Sequence, residues 1–309
     1  MLTESSTLIA NSGHIAADAS TGVARVRVAD AAMLMPLRVP VIFTDASDAW
    51  PIRRYATPEY FRRVHGTHPV RVRGEDCTLA QLIERLERAT REDPGPYPCK
   101  FEIAKTFREL LADVSPRFEC SLPDRQTNPL VAQRLFADVN NLEIFFGGAG
   151  GAFPYLHYDL MHLHAWITQL YGDKEFTLYA PDQEPFLYAR ADVSWQSSVC
   201  NPHDPDFARY PLLRQAHAQR VVLHAGETLF LPAGWWHTAR NLTFTISVAF
   251  DQLAADNWNA FVGDVVAQRR RDGKPMRALV LDIYLHLLGP LLTAYEFLGG
   301  NRRRRWGWR

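Results

Sequence analysis

Cysteine is scarce: there are four in 309 residues, Cys77, Cys99, Cys120 and Cys200, and none forms a CxxC pair. Thiols this sparse exclude a disulfide scaffold and fit a reduced intracellular chain, so a cytoplasmic location is expected. Net charge is also lacking, since 34 basic residues balance 34 acidic ones. No global field then draws the chain to nucleic acid or to an anionic membrane, and no nucleic-acid partner is expected. Long apolar runs are absent as well. The best candidate, Ala278 to Leu298, is interrupted by Asp282, His286, Glu296 and Gly289-Pro290. It reads as interacting helices, not as a membrane span of about 18 apolar residues or more. The first residues, MLTESSTLIANSGHIAADAS, lack a basic segment followed by an apolar one, so no signal peptide is expected. No repeat of fixed period is present.

What is there is a chain 47% hydrophobic and 12% aromatic, with eight Trp, enough for a substantial core. Residues 1–24 are small and polar and predict a frayed start. Residues 25–138 read as an α/β region. Arg25–Val28 and Val39–Phe43 are strand-like. Thr57-Pro58 is an N-cap with proline at the first helical position. Leu79–Arg91 has helical spacing, and residues 100–135 look like short helices and turns. From about Val139 to residue 252 the pattern changes to short strand-like pieces: Leu142–Phe146, Ala165–Leu170, Phe176–Tyr179, Val221–Leu223, Thr228–Leu231 and Thr243–Phe250. Turn residues separate them, which predicts a barrel or sandwich. Asp182 to Arg220 is a long irregular stretch of the kind that is usually functional or partly structured. Residues 253–309 turn helical and finish in the basic tail NRRRRWGWR, which reads as solvated.

Chemistry concentrates in three places. In Pro154-Tyr-Leu-His157-Tyr-Asp159 the His and Asp stand two apart, so in extended chain both face one side. In Gly226-Glu-Thr-Leu-Phe-Leu-Pro-Ala-Gly-Trp-Trp-His237 a strand and a turn lead to a second His, which can face a barrel interior. Two imidazoles and one carboxylate make a facial triad for non-haem Fe(II), with coordination positions left open. Third, Lys174 follows Gly172-Asp173. It is either a solvated hairpin lysine or, inside a barrel, the partner of an anion.

In this order, FFGGAGGAFPYLHYD, TQLYGDKEFTLYAPDQ and AGETLFLPAGWWHTARNLTFTISVAF, preceded by RVPVIFTDASDAWPIRRYATPEYFRRVHG, resemble the JmjC or cupin-like 2-oxoglutarate oxygenases, in the asparaginyl-hydroxylase-like branch. The resemblance spans about 210 residues. It implies a mainly β fold with flanking helices: a double-stranded β-helix (jelly-roll, cupin-like) core with a C-terminal helical segment, the whole chain forming one catalytic unit. It implies Fe(II), with 2-oxoglutarate and O₂ as cosubstrates. His157, Asp159 and His237 match the iron ligands, and Lys174 matches the lysine that holds the distal carboxylate of 2-oxoglutarate. The implied activity is hydroxylation of an unactivated C–H, in an amino-acid side chain of a peptide or protein. The alternatives are a free amino acid or natural-product intermediate, and a non-catalytic metal-binding cupin-like protein. A homodimer through the C-terminal helices is also implied.

This chain departs from the family pattern in two ways. It is two residues longer between Asp159 and Lys174, and it carries Ala249-Phe250-Asp251 where the last barrel strand often has an Asn and a Trp. His162, His164, Trp166 and Thr168 share one face of a strand, with Ala165, Ile167 and Gln169 on the other. His164 and Thr168 are therefore expected in the cosubstrate pocket. Trp235 and Trp236 are expected to pack and position His237, Phe145 or Phe146 to wall the pocket, and Phe153 and Tyr155 to belong to the core. Asn140 and Asn141 are expected at a turn.

Overall fold

The computed structural model describes residues 16–17, 22–115, 117–136, 139 and 142–298. Most of the expected frayed start, Asn140, Asn141 and the Arg302–Arg305 tail lie outside the described residues. The strands are β1 (Ala16–Ala17), β2 (Ala24–Val26), β3 (Val41–Phe43), β4 (Pro69–Val72), β5 (Glu75–Thr78), β6 (Cys99–Glu102), β7 (Glu143–Gly147), β8 (His164–Tyr171), β9 (Lys174–Tyr179), β10 (Gln219–Leu223), β11 (Thr228–Leu231), β12 (Trp236–Asn241) and β13 (Thr245–Gln252). One sheet has the order β1-β2-β3-β11-β8-β13-β7-β6 and a second has β10-β9-β12. They face each other across a core of Ala165, Phe176, Leu178, Leu223, Leu229 and Ala239. This is the expected double-stranded β-helix with flanking helices.

β8 is central, pairing β11 on one side and β13 on the other. Its even-numbered side chains Trp166 and Leu170 enter the aromatic core beneath the N-terminal region, so the strand is buried on both faces. Trp166 is fully buried, with the rings of Phe230 at 4.7 Å and Phe43 at 5.5 Å; truncating such a residue costs roughly 3–5 kcal/mol. The β8–β9 turn needs Gly172 (φ +70°), because a Cβ there would lie 1.9 Å from the Phe244 carbonyl oxygen. That tight turn delivers Lys174 as the first residue of β9.

Helix α1 (Pro58–His65) starts at Thr57, whose side chain accepts from the Tyr60 N–H. Helix α2 (Leu79–Glu87) starts with a capping box of Thr78 and Gln81. The first cap and the helical spacing after Leu79 match the sequence signals; the box at Thr78 is added by the structure. Residues 100–102 differ: they belong to strand β6 on the edge of the large sheet, where short helices and turns were expected, because pairing with β7 satisfies their backbone.

At the C-terminal end, α3 (Trp258–Arg271) packs against α4 (Pro275–Phe297). Gly289-Pro290 does not break α4 into separate helices. Proline inside a helix forfeits one backbone bond, but packing holds the rest. A Cβ at 289 would lie 2.5 Å from Trp258 Nε1, so glycine lets the indole approach and donate to the Leu285 carbonyl at 3.2 Å. By length and composition α4 could cross a membrane, a feature the interrupted sequence did not suggest; 28% of its most apolar window is buried.

Candidate metal centre

The turn Pro232-Ala-Gly234 (φ +79° at Gly234) sends the chain into β12, where His237 pairs with Leu178 of β9. The extended segment at His157 lies beside it. The His157 N–H donates to the His237 carbonyl at 3.0 Å, and the His237 N–H donates to the His157 carbonyl at 2.6 Å. This reciprocal antiparallel pair sets the two imidazoles side by side, with centroids 4.3 Å apart. Asp159, two residues on, faces the same way. Its Oδ2 lies 3.9 Å from His237 Nε2, too long for a hydrogen bond and short enough for two ligands of one ion. One ligand atom from each of the three residues falls within 4.8 Å of the others.

The electrostatics fit a cation. His237 Nδ1 lies 3.1 Å from the Trp235 carbonyl; donation there fixes the tautomer that leaves the Nε2 lone pair facing Asp159. Burial, and then the neighbouring His237, hold His157 well below the usual histidine range, so it is a neutral donor. Its Nδ1 is buried without a hydrogen-bond partner. Burial raises the Asp159 carboxyl, opposed by His237 and Lys100. Two imidazoles and a carboxylate converging on one point are the donor set for a divalent iron-like ion.

The triad lines a cavity of about 280 Å³ that also contains Lys174. Lys174 is 2% exposed. Its Nζ donates to Ser247 Oγ at 2.6 Å, and Ser247 in turn donates to Gln169 Oε1 at 2.8 Å. The rings of Tyr97 and Phe145 lie 5.6 and 5.8 Å from Nζ. Burial pushes the ammonium down to about 7. A second charged group lies in the same cavity: Glu143, Lys100 and Asp251, with Lys100 Nζ 2.9 Å from Glu143 Oε1. Burial, with Asp159 and Glu143 next, raises Asp251 well above the carboxylate range.

Not every expected residue reaches the cavity. His164 does not: its Nδ1 accepts from the Ala233 N–H at 2.9 Å, and its Nε2 contacts Asp256 at 3.2 Å. Thr168 is buried on the same outer face, 2.9 Å from Thr228. The period-2 pattern is right but its faces are reversed. Ala165 and Ile167 line the cavity, and Gln169 reaches Lys174 through Ser247. His162 binds Asp264 at 2.7 Å. A 3₁₀ turn follows Asp159, in which Met161 and His162 adopt positive φ, and both His162 and His164 dock the C-terminal segment. Trp235 and Trp236 are buried packing residues, as expected. Phe153 and Tyr155, expected in the core, line the cavity.

Sequence reasoning missed Tyr97, Lys100, Glu143, Trp195 and Ser247. Trp195 comes from the long irregular stretch, whose backbone pairs with the triad segment: Tyr158 N–H donates to the Trp195 carbonyl at 3.1 Å. The length of that stretch was its only signal.

Residues 29–251 match the family model described as a cupin-like domain. The chain belongs to this family. Among the relatives this cupin-like chain is similar to are two named as lysine-specific demethylases and one named as a tRNA wybutosine-synthesizing protein. Lysine-specific demethylase 8 of Xenopus tropicalis is 26% identical over 222 residues, covering 68% of this chain and 47% of the relative. Lysine-specific demethylase JMJ30 of Arabidopsis thaliana is 26% identical over 226 residues, 68% and 49% of the two chains. tRNA wybutosine-synthesizing protein 5 of Mus musculus is 34% identical over 236 residues, 70% and 71%. The cupin-like chain thus spans about half the length of the two demethylase-named relatives.

Proposed function

We propose that this chain is an Fe(II)- and 2-oxoglutarate-dependent oxygenase that hydroxylates an unactivated C–H of an amino-acid side chain in a peptide or protein. The observation that carries this is the sharing of one cavity by His157, Asp159 and His237 with a buried lysine that has no acidic partner among the described residues. Iron with its two cosubstrates supplies the oxidising chemistry. The chain supplies the rest. His157, Asp159 and His237 hold the metal, and Lys174, with Ser247 and Tyr97 beside it, receives the distal carboxylate of 2-oxoglutarate. Phe153, Tyr155 and Trp195 wall the cavity against water. The integrated N-terminal, barrel and C-terminal segments act as one catalytic unit. A non-catalytic metal-binding protein has no use for Lys174, because burying a cation without its anion is costly.

Charge narrows the substrate. Lys100 is matched by Glu143, and Lys174 by the cosubstrate, which leaves Asp251 as the acid on the cavity wall without a cationic partner among the described residues; burial holds its carboxyl well above the usual range. We propose that it receives a cationic group of the substrate. A free amino acid or natural-product intermediate is the second reading, favoured by the small cavity. The name of the mouse relative refers to tRNA; the neutral charge of this chain argues against a polyanion here.

The test is anaerobic titration with Fe(II) and 2-oxoglutarate, then O₂, with succinate measured against a panel of peptides, free amino acids and tRNA and products read by mass spectrometry. Succinate formation stimulated by one substrate class supports the reading. No iron-dependent succinate under any condition removes it. Asp251→Asn should raise KM for a cationic substrate about tenfold or more while leaving uncoupled succinate formation near wild type. We also propose a cytoplasmic homodimer joined through α4.

A further inference from the structure

A second group of metal-ligand side chains lies outside the cavity. His65 is the last residue of α1, His68 follows three residues later just before β4, and Glu109 lies in the 3₁₀ turn Arg108–Leu111. We propose that His65, His68 and Glu109 bind a divalent transition-metal ion of the zinc type, separate from the oxygenase iron.

Three observations carry this. One ligand atom from each residue lies within 4.8 Å of the others, and His65 Nδ1 is 3.0 Å from Glu109 Oε1. Ligands of a zinc-sized ion, each about 2.0–2.2 Å from it, stand at such separations. Next, the site is preorganised. The His65 ring is 3% exposed and is fixed among Phe61, Phe107 and Tyr60, with centroids at 5.6, 5.5 and 5.7 Å. The His68 N–H donates to the His65 carbonyl at 2.9 Å, and the His68 carbonyl accepts from the Leu79 N–H at 2.9 Å. The His65 ring and the His68 backbone therefore need little further ordering. Finally, His65 is buried with Nδ1 as the ring nitrogen that faces Glu109, while Nε2, on the far side of the ring, has no partner. Burial, aided by His68 and opposed by Glu109, pulls its pKa below the histidine range. It is therefore a neutral imidazole with a lone pair to give, the form that metals bind.

The donor set selects the ion. Two imidazoles and a carboxylate suit several first-row metals, and at equal geometry zinc and copper bind more tightly than ferrous iron. Glu109 is exposed, so a fourth position opens to water and the ion exchanges with solvent. Once bound, it ties α1 to the 3₁₀ turn across the N-terminal core.

The experiment is Zn(II) equilibrium dialysis with elemental analysis on the metal-free chain. Wild type should retain two ions per chain, one at each site. His68→Ala and Glu109→Gln should each weaken one of the two by tenfold or more, with Fe(II)-dependent succinate formation unchanged. In an Asp159→Ala, His237→Ala background, which removes the cavity ligands, Zn(II) should still raise the unfolding midpoint, and adding His68→Ala should abolish that rise. One ion in wild type, or an undiminished second ion in both His68→Ala and Glu109→Gln, overturns the proposal and leaves His65–Glu109 as a hydrogen-bonded pair.

Discussion

Lys174 and Ser247 meet inside the barrel: Nζ donates to Oγ at 2.6 Å, and the buried ammonium has no carboxylate partner among the described residues. A hydroxyl offers a dipole, not a charge, so the site is short of one anion. Lys174→Ala should weaken 2-oxoglutarate about ten- to a hundredfold, because a charge-assisted bond contributes roughly 1.5–3 kcal/mol. Lys174→Arg should also lose affinity, since a planar guanidinium needs a different pocket. Calorimetry with Mn(II) in place of iron reads both. Equal affinities in wild type and Lys174→Ala would leave the lysine a structural role only.

The same lysine predicts a pH dependence. Its pKa is about 7 in the fold and 10.5 when free. Between these values the unfolded chain holds a proton that the folded chain has released. Stability of the ligand-free protein should therefore rise with pH across that window, and below it the folded protein carries the full cost of the buried charge. Lys174→Met should flatten the rise. A bound dianion favours the ammonium, so at about pH 8 binding should take up a proton, and affinity should fall as pH climbs through the window. Binding heats in buffers of different ionisation enthalpy measure the uptake; no uptake contradicts the assignment.

Asp159→Ala should abolish turnover and sharply weaken metal binding while the fold survives. The Asp159 side chain is 24% exposed and supplies charge to the site, not packing to the core. Circular dichroism and metal titration separate the two effects. His157→Ala and His237→Ala should lose metal affinity in the same way.

Arg125 and Glu296 form a buried two-pronged pair at 2.9 and 2.8 Å, and Arg125 also donates to Thr293 Oγ1 at 2.8 Å. Removing one partner strands a charge, so Glu296→Ala should cost about 3–5 kcal/mol in urea unfolding. A loss under about 1 kcal/mol would mean that the end of α4 is not anchored in solution.

Along α4, Val280, Ile283, Leu287 and Leu291 are exposed at helical spacing, while Leu285, Leu288 and Leu292 pack inward. An apolar stripe this long is the motive for the proposed homodimer. Light scattering should give twice the chain mass, and Leu287→Glu with Leu291→Glu should halve it. A wild-type monomer at micromolar concentration removes the dimer, and a chain that floats with lipid vesicles argues for a membrane surface instead.

The sequence by itself determined the strand-rich centre, the helix capped at Thr57, the helical spacing after Leu79, and the candidate ligands His157, Asp159 and His237. These are local signals: alternation, capping chemistry, and the same-side projection of residues two apart. Local pattern also separated the two faces of β8, but it cannot say which face looks inward. That depends on what covers the strand. The N-terminal region buries Trp166 and Leu170, so Ala165 and Ile167 line the cavity, and His164 is left to dock the helical segment. Tyr97, Lys100, Glu143 and Trp195 lie scattered across about a hundred residues and carry no motif. Only tertiary structure decided their roles, because β6 and β7 pair at the sheet edge and the 182–220 stretch folds back onto the triad. Their convergence is a product of long-range strand pairing, which no short window of sequence encodes.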